Sequence, residues 1–180
     1  MSTSPSRRNF LKMGMAGASV LPFLRALPAA AQGSDTLVIV TGQTINSLDL
    51  HRTGTNRPSY QVAVNCYDRL VSFGTKEAPS GGLSYDYDTI VPELAESWTV
   101  SDDGLTLTFK LKPNATFWDG SKVTAEDVKW SFDRAVSVGG FPSVQMRAGG
   151  FMRPDQFAAS DDETFTIRLD QPSTLSIPAV

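Results

Sequence analysis

Two stretches of regular alternation between hydrophobic and polar residues predict β-hairpins. In residues 97–113, SWTVSDDGLTLTFKLKP, the alternation flanks an Asp-Asp-Gly turn. Residues 158–172, AASDDETFTIRLDQP, repeat the design, with an acidic turn and an alternating run before a proline. A two-residue period is that of a strand with one buried face, and a polar turn between two such runs is typical of a hairpin. The buried faces are predicted to contain Leu105, Leu107, Phe109, Leu111, Phe165, Ile167 and Leu169.

The remaining hydrophobic pattern predicts a further strand, two helices and two segments without regular structure. A continuous β-branched run at residues 35–42, DTLVIVTG, is typical of a buried strand. Helical spacing of hydrophobic residues occurs at 59–73 and again from 124 to about 136. The turn-rich residues 74–89 are predicted to form an exposed loop or a loose hairpin. The Gly-rich residues 138–154 are predicted to be irregular, as binding loops often are.

Residues 116–132, TFWDGSKVTAEDVKWSF, combine acids with aromatics and admit two interpretations. An active site would need carboxylates that converge from different elements, or a base with a histidine partner, and the sequence indicates neither. In the other interpretation, Asp119-Gly120 forms a tight turn, and Thr124 caps a helix with Asp127 in the reciprocal capping position. Glu126 and Asp127 would then face the positive end of the helix dipole. The sequence therefore favours a scaffolding role for these acids.

The N-terminus has the order of an export signal. Residues 6–12, SRRNFLK, contain a twin-arginine pair, and a short, weakly hydrophobic run follows them. Ala29 and Ala31 form an A-x-A cleavage site, which makes Gln32 the predicted first residue of the mature chain. A disordered basic tail is the competing interpretation. We therefore expect residues 1–31 to be a twin-arginine signal peptide and the mature protein to be soluble in the periplasm.

Charge and single-residue counts argue against several classes of function. The 180-residue chain has 16 Lys and Arg against 19 Asp and Glu; because four basic and no acidic residues precede Gln32, the predicted mature net charge is −7. Such a chain is a poor binder of nucleic acid. His51 is the only histidine and Cys66 the only cysteine, which argues against a His/Cys zinc site, a Ser-His-Asp triad and an internal disulfide. No cofactor is expected, and Cys66 is predicted to be buried in the 59–73 helix.

Residues 91–135, VPELAESWTVSDDGLTLTFKLKPNATFWDGSKVTAEDVKWSFDRA, resemble the signature region of the family 5 solute-binding proteins of ABC transporters. These are extracytoplasmic receptors for dipeptides, oligopeptides and related solutes. The motifs SLDLH, YDRLVSF and DDETFTIRLDQP extend the resemblance over residues 35–175. Departures are Leu50, where many relatives have proline, and a longer loop at 74–88.

The resemblance implies a mixed α/β fold, the N-terminal part of a two-lobe periplasmic-binding-protein architecture. Residues 32–56 would begin the first lobe, with its first strand and a ligand-side loop, and residues 57–180 would form a subdomain of β-hairpins and helices. Family members are much longer. We therefore expect a fragment or truncated gene model without the second lobe, a complete small protein being the less favoured alternative.

In the family the ligand lies between the lobes, so the resemblance implies that this part supplies one wall. The contributing segments would be the loop after the first strand and the residues around 140–142. The ligand-binding residues implied are Thr53, Gly54, Thr55, Asn56 and Phe141. The alternatives are a plain turn glycine at Gly54 and a core aromatic at Phe141. The tryptophans of scaffold motifs are predicted to pack inside: Trp98, Trp118 and Trp130.

The function implied is capture of peptides or a related small solute for import, without catalysis. The implied partners are that ligand and the membrane permease and ATPase subunits of an ABC transporter. The alternatives are a twin-arginine-exported periplasmic enzyme whose catalytic part is missing from this chain, and a chaperone-like or signalling binder on the same scaffold. The absence of a P-loop or G-x-G-x-x-G fingerprint weighs against the enzyme.

Overall fold

The computed structural model describes residues 38–174 and residue 177. Its helices are α1 (Arg57–Ala63), α2 (Ala125–Val138) and α3 (Gly140–Ala148), and a 3₁₀ turn covers Pro154–Gln156. Its strands are β1 (Val71–Glu77), β2 (Leu83–Pro92), β3 (Ala95–Val100), β4 (Thr106–Leu111), β5 (Phe157–Asp161) and β6 (Thr164–Arg168). The strands form a two-stranded antiparallel sheet, β1-β2, and a four-stranded antiparallel sheet in the order β3-β4-β6-β5. The predicted mixed α/β class is confirmed.

Both predicted hairpins are confirmed, and they join edge to edge. Strands β3 and β4 pair around a turn closed by the Gly104 amide, which donates to the Ser101 carbonyl at 2.8 Å. Strand β6 then lies beside β4, with Phe109 directly opposite Phe165. All the residues predicted for the buried faces are buried except Leu105, which is half-buried. The alternation alone thus identified the face on which the core forms.

The core is aromatic and lies between the four-stranded sheet and helix α2. Phe132 of α2 has its ring centroid 5.0 Å from that of Phe165 and 5.3 Å from that of Phe157. Phe151 completes the cluster at 6.2 Å from Phe132. Phe109, Phe151 and Phe165 are fully buried. Edge-to-face and tilted ring pairs at these distances stabilise the packing beyond the area they bury.

Helix α2 begins as the capping pattern predicts. The Thr124 hydroxyl accepts from the Asp127 amide at 3.3 Å, and the Asp127 carboxylate accepts from the Thr124 amide at 2.9 Å. The Ala125 amide donates to the Asp162 carbonyl at 2.8 Å, which ties the start of the helix to the β5–β6 turn. Val128 and Ala135 on the predicted hydrophobic face are buried. The helix extends to Val138, slightly beyond its predicted end.

The predicted helix over residues 59–73 is wrong beyond Ala63. Helix α1 ends at Ala63, and Val71 begins strand β1. Leu70 has its carbonyl bonded to the amide of Ala95 at 3.0 Å, outside any helix. A short hydrophobic run fits a helix or a strand equally well, and here pairing with β2 decides the outcome. The 74–89 segment is part of the β1–β2 hairpin, one of its two predicted forms.

Residues 138–154 are not irregular, contrary to prediction, because their glycines mark the ends of a helix. Gly139 and Gly140 have φ values of 83° and 81°, so the chain turns sharply between α2 and α3. Gly149 follows the last residue of α3. Pro142 lies in the first turn, where its missing amide costs no helical hydrogen bond. The Ser143 hydroxyl donates to the Val136 carbonyl at 3.2 Å and holds the two helices together.

Two predictions of burial, for the run at residues 35–42 and for Cys66, are wrong. Residues 38–41 of the predicted strand are not in a strand, and Val38, Ile39 and Val40 are 73%, 73% and 91% exposed. The first residues of this run, 35–37, lie outside the described residues. Cys66 is exposed because helix α1 ends before it.

The three tryptophans differ in their burial, although all of them were predicted to pack inside. Trp98 packs against the core, as predicted. Trp118, on the Asp119-Gly120 turn, is 98% exposed, and Trp130, on the outer face of α2, is 63% exposed. Their place in scaffold motifs therefore does not imply burial. The predicted signal peptide, residues 1–31, lies outside the described residues.

Candidate functional site

The polar loop, residues 44–56, is folded around the side chain of Asn46. The Asn46 amide group donates to the Gly54 carbonyl at 3.0 Å, and its oxygen accepts from the Asn56 backbone amide at 3.1 Å. The fully buried Ser59 hydroxyl accepts a hydrogen bond from the backbone amide of Asn46 at 3.1 Å. These bonds span the loop from end to end, so its backbone follows one path without regular secondary structure.

Asn56 connects the polar loop to helix α1. Its side-chain oxygen accepts from the Ser59 amide at 3.2 Å and caps the helix, and its side-chain amide donates to the Thr44 carbonyl at 2.8 Å. Asparagine is a favoured N-cap residue, and Pro58 in the first turn supports the same start. The half-buried Asn56 side chain therefore fixes the end of the polar loop against the start of the helix.

Asp49 is the second centre of the polar loop. Its carbonyl accepts from the Thr55 hydroxyl at 2.9 Å, and its carboxylate accepts two hydrogen bonds from the Arg134 guanidinium, at 2.8 and 2.6 Å. The bonds from Arg134 lower the pKa of Asp49. Burial, followed by the nearby Arg134 cation, lowers the pKa of His51, so this imidazole is neutral at pH 7. Arg134 is thus the cation that forms an ion pair with the Asp49 carboxylate.

The polar loop meets the start of helix α3. A Cβ placed on Gly140 would lie 3.3 Å from the Thr53 Cα, so a backbone approaches a backbone at this point. The next residue, Phe141, is 57% exposed, and its ring packs edge-on against Tyr60 at 5.9 Å. The structure therefore brings together Thr53 and the 140–142 segment, which the sequence predicted as two separate contributions to one wall.

The acids of residues 116–132 have structural partners instead. Asp119 accepts from the amide and the hydroxyl of Ser121 within the turn, and Asp127 caps α2. Within the described residues, His, Cys, Asp and Glu side chains nowhere group in a way that would hold a metal ion. The predicted Asp119-Gly120 turn and the predicted cap of helix α2 are confirmed.

Residues 89–180 match the family model described as bacterial extracellular solute-binding proteins, family 5 Middle. The chain belongs to this family. Its members are binding proteins of transport systems rather than enzymes. The resemblance recognised in the sequence is confirmed.

Relatives and solved structures agree with the family assignment. The chain is 37% identical over 143 residues to the probable D,D-dipeptide-binding periplasmic protein DdpA of Escherichia coli K12, covering 79% of the chain and 25% of DdpA. It is similar to the Escherichia coli murein tripeptide binding protein MppA (27% identity, TM-score 0.54, 74% of the chain and 26% of MppA). The substrate-binding domain of a Bacillus anthracis oligopeptide ABC transporter shares the fold (23% identity, TM-score 0.60, 76% and 26%).

This family 5 chain spans about a quarter of the length of the relatives it matches. The solved neighbours are two-lobe periplasmic binding proteins, and the chain covers part of that fold. Within residues 38–174 and 177, no helix is both long and hydrophobic enough to cross a bilayer.

The predicted site residues differ in their exposure and in the hydrogen bonds that they make. Thr53, Gly54 and Phe141 are exposed, so the core-aromatic alternative for Phe141 is wrong. Gly54 has a φ of 84° in a turn, as its alternative interpretation requires. The Thr55 hydroxyl is bonded within the polar loop.

Sequence reasoning missed Asn46, Asp49, Tyr60 and Arg134. The spacing of Asn56 and Ser59, which is typical of a helix N-cap, was a local sequence signal for one part of this hydrogen-bond network. The Asp49–Arg134 pair joins residues 85 positions apart and had none.

Proposed function

We propose that this family 5 chain forms one wall of the ligand site of an extracytoplasmic receptor, which captures peptides or a related small solute for an ABC transporter. The observation that carries the proposal is the meeting of the polar loop with Gly140 and Phe141 on a family 5 scaffold. Thr53, Gly54, Thr55, Asn56 and Phe141 are the proposed ligand-side residues. The names of DdpA and MppA refer to a dipeptide and a murein tripeptide, which supports a peptide-like ligand here.

The chemistry of the wall suits a ligand held by its backbone. At Gly54 there is no side chain to keep an extended peptide away, and a Cβ there would meet nothing within 4 Å. Gly54 and Gly140 both have positive φ values that other residues rarely adopt. The exposed ring of Phe141, supported by Tyr60, offers an apolar surface to a side chain of varied shape. Backbone hydrogen bonding with permissive side-chain contacts is the usual way in which proteins bind extended peptides.

Binding is tested by calorimetric titration of the full-length gene product with L-Ala-L-Ala, D-Ala-D-Ala and tri-L-alanine. We expect micromolar affinity for at least one of them. Phe141→Ala should weaken that affinity roughly tenfold or more, because burying an aromatic side chain contributes about 1.5–3 kcal/mol. Phe117→Ala is the matched control, since Phe117 is also an exposed aromatic (44%) but lies on the Asp119-Gly120 turn. Equal effects of the two substitutions, or no binding of any peptide, would contradict the proposal.

We also propose that residues 1–31 direct export to the periplasm by the twin-arginine route, where the receptor meets a membrane permease and its ATPase. The basic pair, the short apolar run and the A-x-A site support this. Replacing Arg7 and Arg8 together by lysine should leave uncleaved precursor in the cytoplasm, measured by fractionation and immunoblotting. Replacing Lys12 by arginine is the control. Normal export of the double-lysine variant would exclude the twin-arginine route.

A further inference from the structure

The ion pair between Arg134 and Asp49 joins helix α2 to the polar loop at a second point, apart from the contact of Gly140 with Thr53. Arg134 Nη1 lies 2.8 Å from Asp49 Oδ1, and Nη2 lies 2.6 Å from Oδ2. Two parallel hydrogen bonds from a planar guanidinium fix the orientation of a carboxylate as well as its distance. The pair therefore constrains how the polar loop is turned relative to the helix.

On the loop side, Asp49 transmits that constraint to the predicted ligand residues. Its carbonyl accepts from the Thr55 hydroxyl at 2.9 Å, and its Oδ1 also accepts from the His51 amide at 3.1 Å. The side chain is thus held by the helix while the backbone of the same residue holds Thr55. A displacement of Asp49 would displace Thr55 with it.

On the helix side, Arg134 is itself fixed. Its guanidinium carbon lies 5.8 Å from the centroid of the Trp130 ring, one helical turn earlier, which limits the rotamers of the arginine. Helix α2 continues from Arg134 to Val138 and leads directly into Gly139 and Gly140. The element that holds Asp49 therefore also determines where Gly140 and Phe141 lie.

We propose that Arg134 and Asp49 are positioning residues of the ligand wall, which hold residues 53–56 against Gly140 and Phe141 in the orientation that binds ligand. The inference rests on the proposed function for its ligand-binding consequence. The positioning itself can be measured without any ligand. Neither residue needs to touch the ligand.

The test compares Arg134→Gln, Asp49→Asn and the double variant of the full-length gene product, with tri-L-alanine as the titrant. Each single substitution should weaken binding about tenfold, and the double variant should bind like either single one, because residues that act through each other are non-additive. Arg134→Lys keeps the charge but loses the paired geometry and should fall between wild type and Arg134→Gln. Amide hydrogen exchange of the ligand-free protein should accelerate about tenfold in residues 44–56 and remain unchanged in β4 and β6.

Lys129→Gln is the matched control. It breaks the 2.7 Å ion pair of Lys129 with Asp133 on the same helix, which does not reach the polar loop. This variant should leave both the affinity and the exchange in residues 44–56 as in wild type. Unchanged exchange in the loop of Arg134→Gln, or additive losses of affinity in the double variant, would overturn the inference. Failure of the wild-type protein to bind the peptide would instead overturn the proposed function, and the exchange data would still decide the positioning.

Discussion

The cap of helix α2 allows a quantitative prediction about the acids that first suggested an active site. Thr124→Ala removes the hydroxyl that accepts from the Asp127 amide at 3.3 Å and donates to the Asp127 carboxylate at 2.7 Å. The bond from the residue 124 amide to the same carboxylate, at 2.9 Å, stays intact. Loss of an N-cap oxygen costs about 0.5–2 kcal/mol. Because both bonds of the hydroxyl are lost while the reciprocal bond remains, we expect the free energy of unfolding to fall by about 1 kcal/mol, near the middle of that range. Asp127→Asn should cost about 0.5 kcal/mol, since it keeps an acceptor and loses the charge at the helix terminus.

The assay is urea unfolding of the full-length gene product, followed by circular dichroism, with ligand titration of the same preparations. The unfolding midpoint of Thr124→Ala should fall at an unchanged slope, and its melting temperature should fall by roughly 2–4 °C. Thr124→Ser keeps the hydroxyl and should behave like wild type within a few tenths of a kcal/mol. If serine destabilised as much as alanine, the methyl group rather than the cap would be responsible. A loss of peptide affinity at unchanged stability would restore the functional interpretation of these acids.

Three further predictions concern the core, the turn and acid stability. Phe165→Ala should lower the free energy of unfolding by about 3–5 kcal/mol in urea, because the ring is fully buried among other aromatics; a loss below about 1 kcal/mol would contradict this. Gly140→Ala should cost about 1–3 kcal/mol and weaken peptide binding, since it places a side chain at a φ of 81° against the polar loop. Hydrogen bonds from Lys110 and Lys122 lower the pKa of Glu163, so its contribution to stability is present above the ordinary pKa of about 4.3 and is lost as the pH falls through the lowered value. Glu163→Gln should therefore reduce the pH dependence of the melting temperature below about pH 4.3; an unchanged dependence would exclude this role.

Local patterns were sufficient for the elements whose determinants lie close together in the sequence. The hairpins β3–β4 and β5–β6 carry a two-residue period next to a polar turn, and α2 carries its cap residues three positions apart. The run from Ser59 to Phe73 failed because its hydrophobic spacing suits a helix and a strand, and the strand partner lies some twenty residues further on. Helix α3 was missed because glycines in a segment indicate irregular structure, although here they stand at the two ends of the helix.

The candidate site was predictable only in part, and for the same reason. The family resemblance pointed to Thr53–Asn56 and Phe141, and the structure brings Thr53 close to Gly140. The network that shapes the loop depends on contacts between distant residues, above all Asp49 with Arg134. No periodicity or spacing in one sequence encodes such a pair. The exposure of Trp118 was equally inaccessible, since a tryptophan in a turn carries no sign of which way its ring will face.

The order β3-β4-β6-β5 has a consequence for the speed of folding. Within each hairpin the paired strands are neighbours in sequence, but the pairing of β4 with β6 must bring together residues on either side of the whole α2–α3 segment. Loop-closure entropy opposes that step before the Phe109–Phe165 contact can offset it, and contacts of this kind slow the folding of small domains. The hairpins can therefore form early and reversibly, while the joining of β4 to β6 limits the rate. Until that step is complete, the facing edges of β4 and β6 are open to pairing with other chains. The protein is therefore most prone to aggregation between its synthesis and the pairing of β4 with β6.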